Sequence, residues 1–147
     1  MTPELRIRHA TGADASALAK LAGQLGYPTD AAAIRQRLRD INERGAGIVL
    51  VAENSNGTTA GTAYVHAEYS MVDEPRAHLA DLVVDESFRS AGIGAALLHA
   101  TESWAREHGL SRMRVNSNVT REDAHRFYRR EGYAENKRQA VFLKQLI

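Results

Sequence analysis

The chain has 147 residues, enough for one domain with a sizeable core. Apolar residues make up 44% and charged residues 25%, a balance that excludes an intrinsically disordered chain. The formal net charge of +1 provides no basic excess for coating nucleic acid, and the absence of cysteine excludes disulfides, thiolate zinc sites and cysteine nucleophiles.

The first residues, "MTPELRIRHATG", lack the apolar core of a signal peptide. No apolar run approaches the roughly 20 residues that span a bilayer. The expectation is a cytoplasmic protein with no membrane partner. "ELRIRHA" alternates at Leu5 and Ile7 and predicts a short strand. Thr11 followed by Asp14 predicts a capped helix start, with Leu18, Leu21 and Leu25 at helical spacing and Gly26 as its end. Thr29 or Asp30 caps a second helix carrying Ile34, Leu38 and Ile41, which stops at Gly45. "GIVLVAE" (47–53) is a buried-strand run, "NSNG" (54–57) a turn, and "TTAGTAYVHAEYS" (58–70) the returning strand. "RAHLADLVV" (76–84) is the next strand. A helix follows, with Ile93, Ala96, Leu97, Ala100 and Trp104 on one face and Gly109 as its stop. "RMRVNSN" (112–118) predicts a strand. Thr120 with Asp123 predicts a capping box for a last helix through Phe127 and Tyr128, closed at Gly132. A short strand near Tyr133 and a final strand over "QAVFLKQL" (139–146) complete the expectation. No repeat or linker interrupts the chain, so residues 1–147 are expected to form a single domain. Strands mixed with crossover helices imply an α/β domain whose sheet is partly parallel and partly antiparallel.

The stretch "VVDESFRSAGIG" (83–94) joins a strand to a helix. A helix N-terminus presents unpaired N–H groups and a partial positive charge. Glycines let the backbone approach a bulky phosphate, and Arg89 supplies a full charge that bonds two oxygens at once. A tight turn with a solvated Arg89 is the other reading of the same residues. The P-loop does not fit, because Gly94 is followed by Ala95 and Ala96 rather than Lys and Ser or Thr. The dinucleotide fingerprint does not fit either, because Leu97 stands at its third glycine. Another phosphate-bearing ligand is indicated.

Arg89-Ser90-Ala91-Gly92-Ile93-Gly94, followed by Ala124-His125-Arg126-Phe127-Tyr128 and Gly132-Tyr133, resembles the GNAT superfamily of acyl-CoA-dependent N-acetyltransferases. The order of elements matches over nearly the whole chain. The resemblance implies a mixed, mostly antiparallel central sheet with a parallel splayed pair, flanked by about four helices. It implies acetyl-CoA as co-substrate, no metal, and transfer to the primary amine of a small molecule or peptide by direct attack in a ternary complex. The backbone of Leu82, Val83 and Val84 then pairs with the pantetheine arm, and Arg89, Ser90, Ala91, Gly92, Ile93, Gly94 and Ala95 cradle the pyrophosphate. Phe127, Tyr128 and Asn118 complete the cofactor side. Asn118 is included because Arg121 stands where many relatives carry an asparagine. Tyr128 resembles the family's general acid. A thiol with a pKa near 8.5 and a phenol near 10 make that proton transfer inexpensive. The other reading of Phe127 and Tyr128 is core packing.

His78 falls where some relatives carry a basic glutamate, and Asp81 lies three residues on. In a regular strand the two face opposite sides. Either residue, or a water chain, serves as the base that takes the amine's proton. By the same resemblance the acceptor is walled by residues 25–27, 41–45 and 68–74, with Glu68, Asp73 and Glu74 available to hold a cation and Tyr27, Tyr64 and Tyr69 shaping the pocket. A homodimer through the last strands is the family expectation. The rival function is a non-catalytic module of the same fold that binds acyl-CoA.

Overall fold

A computed structural model describes residues 4–89 and 91–147. Residues up to Asn116 form one compact unit, and residues from Ser117 onward form a second.

The first unit is built on a five-stranded sheet in the order β1-β2-β3-β4-β5. β1 (Arg6–His9), β2 (Gly47–Glu53), β3 (Thr59–Glu68) and β4 (Arg76–Val84) pair antiparallel in sequence order. β5 (Met113–Val115) joins β4 in parallel. Between β1 and β2 run α1 (Ala15–Leu25) and α2 (Ala31–Arg44). The Asp30 side chain caps α2 by accepting from Ala33 N–H at 2.8 Å. Before α1, the Asp14 carboxylate accepts Thr11 N–H at 2.7 Å and takes both Arg8 amino groups at 2.8 and 2.9 Å. α3 (Ile93–Glu107) follows β4 after a short 3₁₀ turn, Glu86–Phe88.

The period of two along the strands divides the side chains between two layers. On one face Val51 and Val83 pack beneath Leu18 and Leu21 of α1 and Leu38 of α2. On the other, Val65 and Ala77 pack against Trp104 and Ala105 of α3. Gly61 lets α3 sit close, since a Cβ there would lie 3.0 Å from Leu97 Cδ1. Leucines buried to this degree stabilise by about 1.5–3 kcal/mol each. Gly47, opposite His66, is required sterically: a Cβ on it would come within 2.6 Å of His66 Cβ.

The second unit holds α4 (Glu122–Arg130). Its start departs from the expected capping box. Arg121 occupies the N-cap with no side-chain acceptor. Thr120 instead donates its amide (3.0 Å) and hydroxyl (2.8 Å) to Asn118 Oδ1. A local turn at asparagine has outcompeted the threonine cap. The strands expected near Tyr133 and over residues 139–146 are absent among the described residues. Val141, Phe142 and Leu143 are each at least 90% exposed. Apolar, strand-like composition does not by itself make a strand.

Candidate active site

The pairing of β4 with β5 is short. It runs over Ala77, His78 and Leu79, opposite Met113, Arg114 and Val115, and among the described residues it goes no further. β4 continues to Val84, so its second half has a free edge on that side. The separation begins at a β-bulge. Leu79 pairs with Val65 and Asp81 pairs with Tyr64, which leaves Ala80 as an extra residue on β4. A bulge bends its strand, increases the local twist and ends regular pairing. Asp85 N–H donates to Ala60 O at 2.7 Å, so by alternation Val83 also turns its backbone groups toward β3. Leu82 and Val84 face the open edge. Of the three backbone positions expected to meet a pantetheine arm, Val83 is therefore committed within the sheet.

The bulge also corrects the expectation that His78 and Asp81 lie on opposite faces. Tyr64 pairs with Asp81 and His66 with His78, and Tyr64 and His66 share a face of β3. With one residue bulged out, all four side chains project to the α1/α2 side. Tyr64 and His66 stack with ring centroids 5.3 Å apart, and His66 meets His78 edge-on at 5.1 Å. His78 Nδ1 lies 3.3 Å from Glu68 Oε2. Burial holds the His78 imidazole below its ordinary pKa, against the pull of Glu68, and so favours the neutral ring. Sequence reasoning passed over His66, although the alternation Thr62, Tyr64, His66, Glu68 puts it in this row.

Asp81 forms part of the lining of a cavity of about 400 Å³ between the sheet and the two N-terminal helices. The side chain is accessible from the cavity, yet burial among its surroundings pushes its carboxyl above the usual carboxylate range. Tyr64 is raised by the same burial and by the Asp81 charge. Leu25, Tyr27 and Ile41 line the cavity as the resemblance implied. Residues 68–74 do not. Glu68 accepts from Arg76 at 2.7 Å and also meets Arg114 at 3.5 Å. Burial alone would raise its pKa, but those cations and His78 hold it below the usual range. Asp73 is paired with Arg112 at 2.9 Å. These two carboxylates are already neutralised within the fold and are not available to a cationic acceptor.

Beyond β4, Asp85 caps the 3₁₀ turn by accepting Ser87 N–H at 2.9 Å. Arg89 is exposed, its Nε 3.4 Å from Val84 O. Ser90 lies outside the described residues. Gly92, at φ +79°, occupies the left-handed region and forms the N-cap of α3. This position needs glycine for backbone reasons, and as a result the helix begins with no side-chain cap and no acidic residue in its first turn. Ile93, Gly94 and Ala95 then present amide groups without intrahelical acceptors. A helix start with no side-chain cap beside an exposed arginine is the kind of place where an anion can bind.

In the second unit, Tyr128 packs against Phe127 (ring centroids 5.2 Å) and Tyr133 (5.8 Å). Burial raises its pKa, against a smaller lowering effect of Arg121, so the phenol keeps its proton through neutral pH. Phe127 also lies under the Arg130 guanidinium at 5.6 Å. Asn118 has its Oδ1 engaged by Thr120, and its carbonyl accepts from His125 Nε2 at 2.9 Å.

A mixed sheet that opens at a bulged strand, followed by an uncapped glycine turn into a helix, defines an acyltransferase-type fold. The chain belongs to the acetyltransferase (GNAT) family, whose model matches residues 17–133. It is similar to aminoglycoside N(6')-acetyltransferase type 1 of Stenotrophomonas maltophilia, 32% identical over 140 residues that cover 92% of this chain and 90% of that protein. It also resembles the aminoalkylphosphonate N-acetyltransferase of Salmonella typhimurium, at 34% identity over 82 residues, 55% of this chain and 53% of that one. Among solved structures, the aminoglycoside N-acetyltransferase AAC(6')-Iy in complex with CoA shares the fold with a TM-score of 0.85 at 18% identity, covering 100% of this chain and 98% of that one. The chain is an acetyltransferase.

Proposed function

We propose that this acetyltransferase moves the acetyl group of acetyl-CoA to the primary amine of a small molecule, by direct attack in a ternary complex. The observation that carries this reading is the free edge of β4 at Leu82 and Val84, with the cavity at Asp81 on one side and the uncapped start of α3 on the other.

Acetyl-CoA supplies an activated thioester. Leu82 and Val84 offer backbone donors and acceptors along the pantetheine, and Arg89 with the amides of 91–95 takes the pyrophosphate charge. The amine nitrogen forms its bond to the acetyl carbon as the carbon–sulfur bond breaks. Asp81 removes the amine's proton, made more basic than an ordinary carboxylate by its burial. Tyr128 protonates the leaving thiolate. The two compact units act as one acetyltransferase domain, in the cytoplasm and as a homodimer. The AAC(6')-Iy structure with CoA and the N-acetyltransferase relatives support this choice of co-substrate and acceptor.

Calorimetric titration with acetyl-CoA, CoA and ATP tests the reading. Acetyl-CoA and CoA are expected to bind tightly, ATP weakly, and Arg89→Ala to weaken both CoA ligands by about tenfold. Absence of any CoA binding would return the glycine turn to a purely structural role. Binding without thiol release on any amine would leave a non-catalytic acyl-CoA module.

A further inference from the structure

We propose that the cavity under α1 and α2 selects a primary monoamine carried on an apolar body, of aryl or branched-alkyl type, and rejects polycationic amino sugars. This inference rests on the acetyltransferase reading above and narrows its acceptor.

The walls are Leu18, Leu25, Ile34, Leu38, Ile41 and Val83. None of these side chains can satisfy a hydroxyl or an ammonium group. The hydroxyls that share the lining, on Tyr27, Thr29, Thr62 and Tyr64, are outnumbered by the apolar walls, and a buried polar group left without a partner is costly. Charge enters the lining at three residues only: Asp81 on the sheet, and Arg37 and Asp40 on α2. Arg37 donates to Thr29 Oγ1 at 3.2 Å, and Asp40 accepts from Gln36 at 3.0 Å. Asp40 keeps its charge, since its partner is the neutral Gln36 amide, and with Arg37 on the same helix the lining carries a net excess of one carboxylate. Thr62, the polar neighbour of Asp81 in the lining, already spends its hydroxyl on Leu50 O at 2.7 Å. A further ammonium on the ligand would meet Asp40 only on the helix that also carries the Arg37 guanidinium, and outside the lining Glu68 and Asp73 hold Arg76, Arg112 and Arg114 instead. The site thus offers one anchor for an amine and an apolar enclosure for what carries it. An amino sugar needs the opposite, several carboxylates and a wall of hydrogen-bonding groups.

The test uses the full chain and two readouts. Thiol release with acetyl-CoA is measured for 2-phenylethylamine, 3-methylbutylamine, spermidine and kanamycin. Calorimetry measures binding of the same amines in the presence of CoA, independent of turnover. The monoamines are expected to exceed kanamycin and spermidine in kcat/KM by at least about tenfold. Ala22→Phe fills the cavity from α1 and should reduce monoamine binding by a similar factor with acetyl-CoA affinity unchanged. Ile41→Asp, at a half-buried position of α2, should move the kanamycin-to-phenylethylamine ratio toward kanamycin, and it serves if the first variant does not fold. A preference for kanamycin in the natural chain overturns the proposal and leaves the acetyltransferase reading intact. Monoamine binding without turnover upholds the proposal and removes the catalytic reading. No binding of either monoamine overturns it.

Discussion

As the proposed base, Asp81 would owe its reactivity to position rather than to residue type. A carboxylate in water is a poor base for an ammonium ion, and burial beside the cavity moves it in the useful direction. The sign of the pH dependence follows. The base works deprotonated, so kcat/KM should climb as pH rises through the Asp81 pKa, on a limb lying above the ordinary carboxylate range. Asp81→Asn should lower kcat by about 100-fold or more and erase that limb. His78→Gln provides the contrast: if the limb survives in Asp81→Asn and disappears in His78→Gln, the base is the histidine. In the proposed mechanism Tyr128 works at the other end of the reaction and must be protonated. Its pKa is raised by burial, so the alkaline limb belongs above the normal phenol range. Tyr128→Phe is expected to cut kcat by about 100-fold with acetyl-CoA affinity unchanged. A normal rate at saturation with collapsed affinity would instead mark Tyr128 as a packing residue.

At the scale of elements, the bulge at Ala80 is the feature on which the site depends. It ends the β4–β5 ladder at Leu79 and frees the edge that runs from there to Val84. Deleting Ala80 would make β4 regular and let it follow β5 further. The expected result is a folded protein, with a thermal midpoint unchanged or higher, that has lost at least about tenfold in acetyl-CoA affinity. Unchanged affinity would show that the opening of the sheet does not depend on the bulge. The bulge was not legible in "RAHLADLVV", where neither glycine nor proline marks it and the apolar pattern reads as an ordinary strand. Helix ends were legible because glycine and the Asp30 cap announce them locally. The glycine turn into α3 was legible for the same reason. The neutralisation of Glu68 and Asp73 was not. It depends on Arg76, which reaches Glu68 across a hairpin, on Arg114 of β5 and on Arg112 just before β5. No local pattern encodes that meeting.

For the molecule as a whole, the question is what the apolar residues near the end of the chain are for. Val141, Phe142, Leu143 and Leu146 are between 86% and 93% exposed, within the run "AVFLKQLI". A contiguous apolar stretch in water is an interaction surface or an aggregation hazard. Strand-like composition favours pairing with another strand over burial against a helix. Self-association of two chains through this segment satisfies both its apolar side chains and its backbone groups, and burial of each large side chain contributes about 1.5–3 kcal/mol. Light scattering behind size exclusion should therefore give about twice the 16.2 kDa of one chain. Phe142→Asp combined with Leu143→Asp places two charges in that contact and should return the single-chain mass, since neither position is buried in the isolated chain and the fold has no reason to suffer. Acetyl-CoA affinity measured on the monomeric variant then reports whether association serves the site. Equal affinity would assign the segment to assembly alone, and a single-chain mass for the natural protein at every concentration would refute the dimer.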